Sequence, residues 1–180
     1  MNLVNYITLS RIVLIIPVLL LVSYQEIFYN WMALILFVIA GITDHIDGFV
    51  ARKTGTTSQL GALLDLIADK LLVCVTLIFL ISYFPHEVLI IPTIIIISRE
   101  LIISALRQFL AENQGTNPFE VSFVAKSKTA IQIIALSFLI ISPNFGEYFY
   151  FITIALLWLA ALISLYSLYG YIKSYKYLIK

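Results

Sequence analysis

Polar and apolar positions in this chain segregate into long blocks, with neither the two-residue alternation of a half-buried strand nor the narrow apolar stripe of a soluble helix. Apolar runs fall at about Ile12–Tyr24, Trp31–Thr43, Leu60–Tyr83, Val88–Leu110, Ala130–Ser142 and Tyr148–Tyr169. A bilayer core about 30 Å thick needs about 20 mostly apolar residues per helix, and some of these runs reach that length by continuing into charged turns. The pattern therefore predicts six membrane-spanning helices, an all-α polytopic fold, and a single integral membrane domain over residues 1–180. Two polar interruptions separate the runs on one side, Thr54–Ser58 with Gly55, and Glu112–Ser122 with Asn113, Gly115, Asn117 and Pro118. Both read as loops. The first 23 residues are expected to be retained, because the polar stretch Asn2–Arg11 is long and no small-residue cleavage site follows Leu21.

Composition strengthens the membrane reading, since 62% of the residues are apolar against roughly 45–50% in ordinary soluble domains. A net charge of +1 gives no electrostatic footprint for nucleic acid. The lone Cys74 lies in an apolar run and forms no disulfide framework. The charges are asymmetric. The gaps Gln25–Asn30, Phe84–Glu87 and Pro143–Glu147 carry no Lys or Arg, while all 11 basic residues lie at the opposite helix ends. The positive-inside rule then puts both termini in the cytoplasm, as an even number of spans also requires. Tyr24, Tyr29, Trp31, Tyr83, Tyr148 and Tyr150 mark the outer boundary as an aromatic belt. The run from Lys173 to Lys180 reads as a headgroup anchor.

Four aspartates beside apolar runs do not follow from composition. A carboxylate at a helix centre in lipid costs about 2.5–3.5 kcal/mol even on a lenient scale. Asp44 and Asp47 are spaced i, i+3, and Asp65 and Asp69 are spaced i, i+4, so each pair occupies one helix face. The short turn between them makes the two helices antiparallel neighbours, and their acidic faces converge near the cytoplasmic boundary. Hard oxygen ligands without His or Cys suit Mg²⁺ or Mn²⁺ better than zinc. Gly48, Ala51 and Gly61 leave clearance for a bulky ligand, and Arg52 offers a planar fork to phosphate oxygens. Together these residues point to a phosphate-bearing substrate. Two other readings stand beside it: an ion-pair network of the acids with Arg52 and Lys70, and a divalent-cation transporter, which would need acids deep in the bundle and broken helices.

The residues Asp44-x-x-Asp47-Gly48-x-x-Ala51-Arg52 followed by Gly61-x-x-x-Asp65-x-x-x-Asp69 resemble the complete signature of the CDP-alcohol phosphotransferase family. The resemblance extends over the six-span layout and implies a homodimeric, all-α membrane enzyme of a bacterial-type cell membrane, with its active site on the cytoplasmic side. It implies a CDP-diacylglycerol substrate, a pair of Mg²⁺ or Mn²⁺ ions on Asp44, Asp47, Asp65 and Asp69, and Asp69 as general base. It further implies that Gly48, Arg52, Ser58 and Gly61 border the CDP moiety. The stretch Asn5-Tyr-Ile-Thr8-Leu-Ser-Arg11 resembles the family's entrance helix, which makes Thr8 a candidate nucleotide contact; a helix cap, with Arg11 snorkelling to headgroups, is its competing reading.

Beyond the signature, Ser98-Arg99-Glu100, Leu106-Arg107 and Val124-Ala-Lys126-Ser-Lys128-Thr129 resemble the branch of that family whose acceptor is sn-glycerol 3-phosphate. Arg99, Arg107, Lys126 and Lys128 supply cations that an anionic acceptor requires and a neutral one does not. Arg99 stands inside the apolar run Ile94–Ile103, where a charge is costly, and Glu100 is placed to orient it. Acceptors of other family members, as in a cardiolipin synthase or an inositol-phosphate transferase, are the nearest alternatives. His45 reads as incidental.

Overall fold

The computed structural model describes the backbone of residues 3–54, 59–84, 87–114 and 123–178, with side chains described within 8–43, 61, 63–84, 87–109 and 128–173. Six helices follow in order: α1 (Leu3–Ser23), α2 (Ile27–Thr54), α3 (Gln59–Tyr83), α4 (Glu87–Gln114), α5 (Phe123–Ile141) and α6 (Glu147–Leu178). A single 3₁₀ turn, Ser142–Asn144, links α5 to α6. Among the described residues there is no strand, and the fold is all-α.

Several helices outrun their apolar blocks. Helix α2 continues from Thr43 to Thr54, carrying the backbone of Asp44, Asp47, Gly48 and Arg52 in one unbroken helix. The segment has no proline, and one glycine costs only about 1 kcal/mol in a helix. Helix α4 runs to Gln114, so Glu112, Asn113 and Gln114, expected in a loop, are helical. The strong helix formers Leu110, Ala111 and Glu112 carry it to the residue before Gly115. Glu87 and Glu147 lie in the first turns of α4 and α6, where an acidic side chain favours the positive end of the helix dipole. Helices α1 and α2 turn sharply, and Gln25 takes a left-handed φ of 53° just past the end of α1.

Inward positions recur at helical spacing. Ile15, Val18 and Val22 on α1, Ala33, Phe37 and Ala40 on α2, Leu136, Leu139 and Ile140 on α5, and Leu157, Ala160 and Ala161 on α6 form one core. Helix α1 packs against α2 and α3, α6 packs against α4 and α5, and α5 also meets α2 and α3. Gly41 permits the α2–α5 approach, since a Cβ there would stand 3.1 Å from Ile133 Cδ1. Facing outward are large apolar side chains such as Ile16, Ile35, Ile94, Leu101, Phe151 and Leu162, an arrangement suited to lipid. Glu87–Phe109 and Glu147–Lys173 are long and apolar enough to cross a membrane, and Thr8–Ser23, Ile27–Thr43 and Lys128–Asn144 are shorter apolar helices. Aromatic pairs collect at one end of the bundle, among them Tyr24 with Tyr29 at 4.7 Å and Phe84 with Tyr150 at 6.2 Å. At that end Asn30 Nδ2 donates to Asn144 Oδ1 at 2.8 Å, tying α2 to the 3₁₀ turn.

Proline in α4 creates a local debt that another helix settles. Pro92 has no N–H, so the Val88 carbonyl one turn earlier loses its helical partner. Trp158 Nε1 on α6 donates to that carbonyl at 3.2 Å. In lipid an unsatisfied backbone carbonyl is costly, so this bond helps fix α4 to α6. Replacing Trp158 with Phe is expected to lower stability in detergent by about 1–2 kcal/mol. In a Pro92→Ala background, where the helix supplies its own N–H, most of that loss should disappear. Thermal denaturation of the two single variants and the double variant measures the coupling.

Candidate active site

A cavity of about 320 Å³ opens between α3, α4 and α5, lined by Asp65, Asp69, Lys70, Arg99, Glu100, Arg107, Lys128 and Gln132 together with apolar neighbours. Asp65 and Asp69 share one face of α3, one turn apart, with side chains 43% and 44% exposed. Gly61 lies one turn before them. Opposite stand cations from two helices, Arg99 and Arg107 on α4 and Lys128 on α5. Asp65 and Asp69 thus border the same space as three of the four cations singled out in the sequence, Arg99, Arg107 and Lys128.

Of the remaining candidates, Thr8 is buried on α1, one turn before Arg11. Asp44, Asp47, Gly48 and Arg52 have helical backbone in α2, but their side chains lie outside the described residues. Ser58 lies outside them entirely, and so does the side chain of Lys126. Among the described residues no three acidic, imidazole or thiol side chains converge as a metal cluster. Asp65 and Asp69 still fit a hard divalent ion chemically, as two partly exposed carboxylates on one face of a continuous helix.

The competing reading of the entrance helix, with Arg11 snorkelling to headgroups, is not what the structure shows: the Arg11 side chain has 0% exposure, and its Nη1 lies 3.5 Å from Asp65 Oδ1 and 3.6 Å from Asp69 Oδ1. The guanidinium stands between the two acids and offsets the repulsion of placing them side by side. Its position was signalled in the sequence, because the buried stripe of Ile15, Val18 and Val22 extends back through Arg11 to Thr8.

The cationic wall is an ordered network. Glu100 accepts from Arg99 Nη1 at 3.2 Å and also pairs with the Lys128 ammonium, so one buried carboxylate serves two cations. Lys70 donates to Ser104 Oγ, and that hydroxyl donates to the Glu100 carbonyl at 2.6 Å. From α6, Ser167 Oγ accepts from Arg99 Nη2 at 2.7 Å, and the Tyr171 hydroxyl accepts from Arg107 Nη2 at 2.7 Å. Gln132 Nε2 reaches Ser164 Oγ at 3.1 Å. Burying such charges is unfavourable unless each is paired, and positive groups exceed negative ones along this wall. An anion entering there would meet positive charge already held in place.

The chain is similar to known proteins over nearly its whole length. A family model described as CDP-alcohol phosphatidyltransferase matches residues 1–166. The chain is 40% identical over 179 residues to a protein of Rickettsia typhi (strain ATCC VR-144 / Wilmington), covering 97% of this chain and 97% of the relative. It is 35% identical over 175 residues to a protein of Escherichia coli (strain K12), covering 96% of this chain and 94% of the relative. Both relatives carry the name CDP-diacylglycerol–glycerol-3-phosphate 3-phosphatidyltransferase.

If Arg11 holds the α3 acids, Arg11→Gln should destabilise the protein in buffer containing a chelator by about 1–3 kcal/mol, less than the cost of removing one partner of a fully buried pair because the acids are partly solvated. The melting temperature in detergent would fall by several degrees, and an unchanged value would show that the contact contributes nothing.

Proposed function

The chain belongs to the CDP-alcohol phosphatidyltransferase family, and from that membership we propose that it transfers the phosphatidyl group of CDP-diacylglycerol to sn-glycerol 3-phosphate, giving phosphatidylglycerol phosphate and CMP. The observation that carries this reading is the meeting of the α3 carboxylates with Arg99, Arg107 and Lys128 in one cavity. Relatives bearing the same activity in their names support it across nearly the whole chain.

The acceptor phosphate docks against the two guanidiniums and the Lys128 ammonium, where paired, directional donors suit its oxygens. That leaves the free primary hydroxyl directed at α3. Asp69 takes the hydroxyl proton, the oxygen bonds to the phosphatidyl phosphorus, and the bond from that phosphorus to the oxygen of the CMP phosphate breaks. Thr8, Gly48, Arg52, Ser58 and Gly61 border the nucleotide. Two Mg²⁺ or Mn²⁺ ions held by Asp44, Asp47, Asp65 and Asp69 would, when bound, neutralise the diphosphate oxygens as charge develops. Arg11 reaches both Asp65 and Asp69 and holds the two carboxylates together.

In this reading the protein is a single catalytic domain over residues 1–180, with six spanning helices, both termini and the site on the cytoplasmic face, and a homodimeric assembly. The apolar outer surface supports the membrane setting. A cation transporter is less well supported, since α3 runs unbroken past its acids and the cavity carries more cations than a permeating cation would tolerate.

Purified protein supplied with CDP-diacylglycerol should release CMP with glycerol 3-phosphate, and should do so far more slowly with phosphatidylglycerol or inositol phosphate. Absence of CMP with glycerol 3-phosphate would overturn the acceptor assignment. Asp69→Asn should keep its melting transition while losing at least about 100-fold in kcat, the scale of a general base. Chelation should stop turnover, with added Mg²⁺ or Mn²⁺ restoring it.

A further inference from the structure

Arg99 and Arg107 lie two turns apart on the inner side of α4 and both border the cavity. Each is held from behind by α6. Ser167 and Tyr171, spaced i, i+4 on that helix, accept one guanidinium bond apiece at 2.7 Å. The Tyr171 ring also lies beneath both cations, 5.9 Å from the Arg99 guanidinium carbon and 5.5 Å from that of Arg107. A single aromatic side chain thus contacts two like charges that would otherwise repel and splay, and its face attracts both. Neither α6 residue borders the cavity, so their effect on a ligand must pass through the arginines.

We propose that Ser167 and Tyr171 are positioning residues that set the spacing of Arg99 and Arg107 for the phosphate of the acceptor, and thereby help select an anionic acceptor. The inference rests on the reading of glycerol 3-phosphate as acceptor and adds to it a pair of residues on α6. A further observation agrees. Ser167 continues the buried face of α6 that runs through Leu157, Ala160, Ala161 and Ser164, and Tyr171 follows one turn later, half-buried on the same side.

The test is steady-state kinetics on the full-length protein in mixed micelles, with wild type, Tyr171→Phe, Tyr171→Leu and Ser167→Ala. Each substrate is varied at saturation of the other. Tyr171→Leu loses both ring and hydroxyl and should raise KM for glycerol 3-phosphate roughly 10-fold, whereas Tyr171→Phe keeps the ring and should raise it roughly 3-fold. Ser167→Ala should resemble Tyr171→Phe. KM for CDP-diacylglycerol and kcat should stay within about twofold of wild type, and the inhibition constant of inorganic phosphate against glycerol 3-phosphate should rise in parallel with the acceptor KM. Equal changes in both KM values, or unchanged acceptor KM in all three variants, would overturn the proposal. Should Tyr171→Leu lack a melting transition, the two near-isosteric variants carry the same test. Wild-type protein that releases CMP only with some other acceptor would instead remove the glycerol 3-phosphate reading itself, and this inference with it.

Discussion

Charge inside a helical bundle of low dielectric constant is the constraint on which this structure depends. An ion that leaves water loses several kcal/mol of solvation, and only a partner at hydrogen-bonding range restores it. The protein meets this demand with pairings drawn from different helices. Arg11 of α1 answers the acids of α3, Glu100 of α4 answers Lys128 of α5, and Ser167 and Tyr171 of α6 answer the arginines of α4. Charge pairing thereby knits five helices around one cavity. Apolar packing brings the helices together, and the polar contacts restrict how they can be rotated.

That arrangement also explains how one small space can serve two opposite electrostatic tasks. The α3 acids suit cations, while the α4 and α5 cations suit anions, and both border one cavity of about 320 Å³. Because Glu100 pairs with both Arg99 and Lys128, the cationic wall keeps net positive charge while each of these two cations has an acidic partner. On the proposed reading, the reacting hydroxyl is positioned between the walls by the phosphate at its other end. Binding energy gained remotely then orients the nucleophile.

Much of this was legible in the sequence. The helical fold follows from block hydropathy and the facing of Asp65 and Asp69 from their i, i+4 spacing, whereas Arg99, Arg107, Lys126 and Lys128 were singled out by the resemblance and by an excess of cations, and the meeting of three of them in one cavity is what the structure adds. Helix ends were less legible, because apolar content stops where lipid stops while helix propensity continues. Glu112, Asn113 and Gln114 are helical for that reason. The inward register of Arg11 was visible in the sequence, but its partners Asp65 and Asp69 on α3 were not. Ser167 and Tyr171 carried little signal, since a serine and a tyrosine on a terminal apolar helix have ordinary roles and only the three-dimensional meeting with α4 distinguishes them. The bond from Trp158 to the carbonyl freed by Pro92 was likewise invisible, because it joins residues remote in sequence.

The central claim is that one cavity holds a divalent ion and the acceptor phosphate at the same time. Paramagnetic relaxation of the ³¹P signal of glycerol 3-phosphate by Mn²⁺ on the purified protein tests this most directly. The account predicts strong enhancement in wild type, lost when Asp65 and Asp69 become Asn and lost again when Arg99 and Arg107 become Gln. A phosphorus signal that relaxes no faster with the Mn²⁺-loaded protein than with Mn²⁺ alone would contradict it.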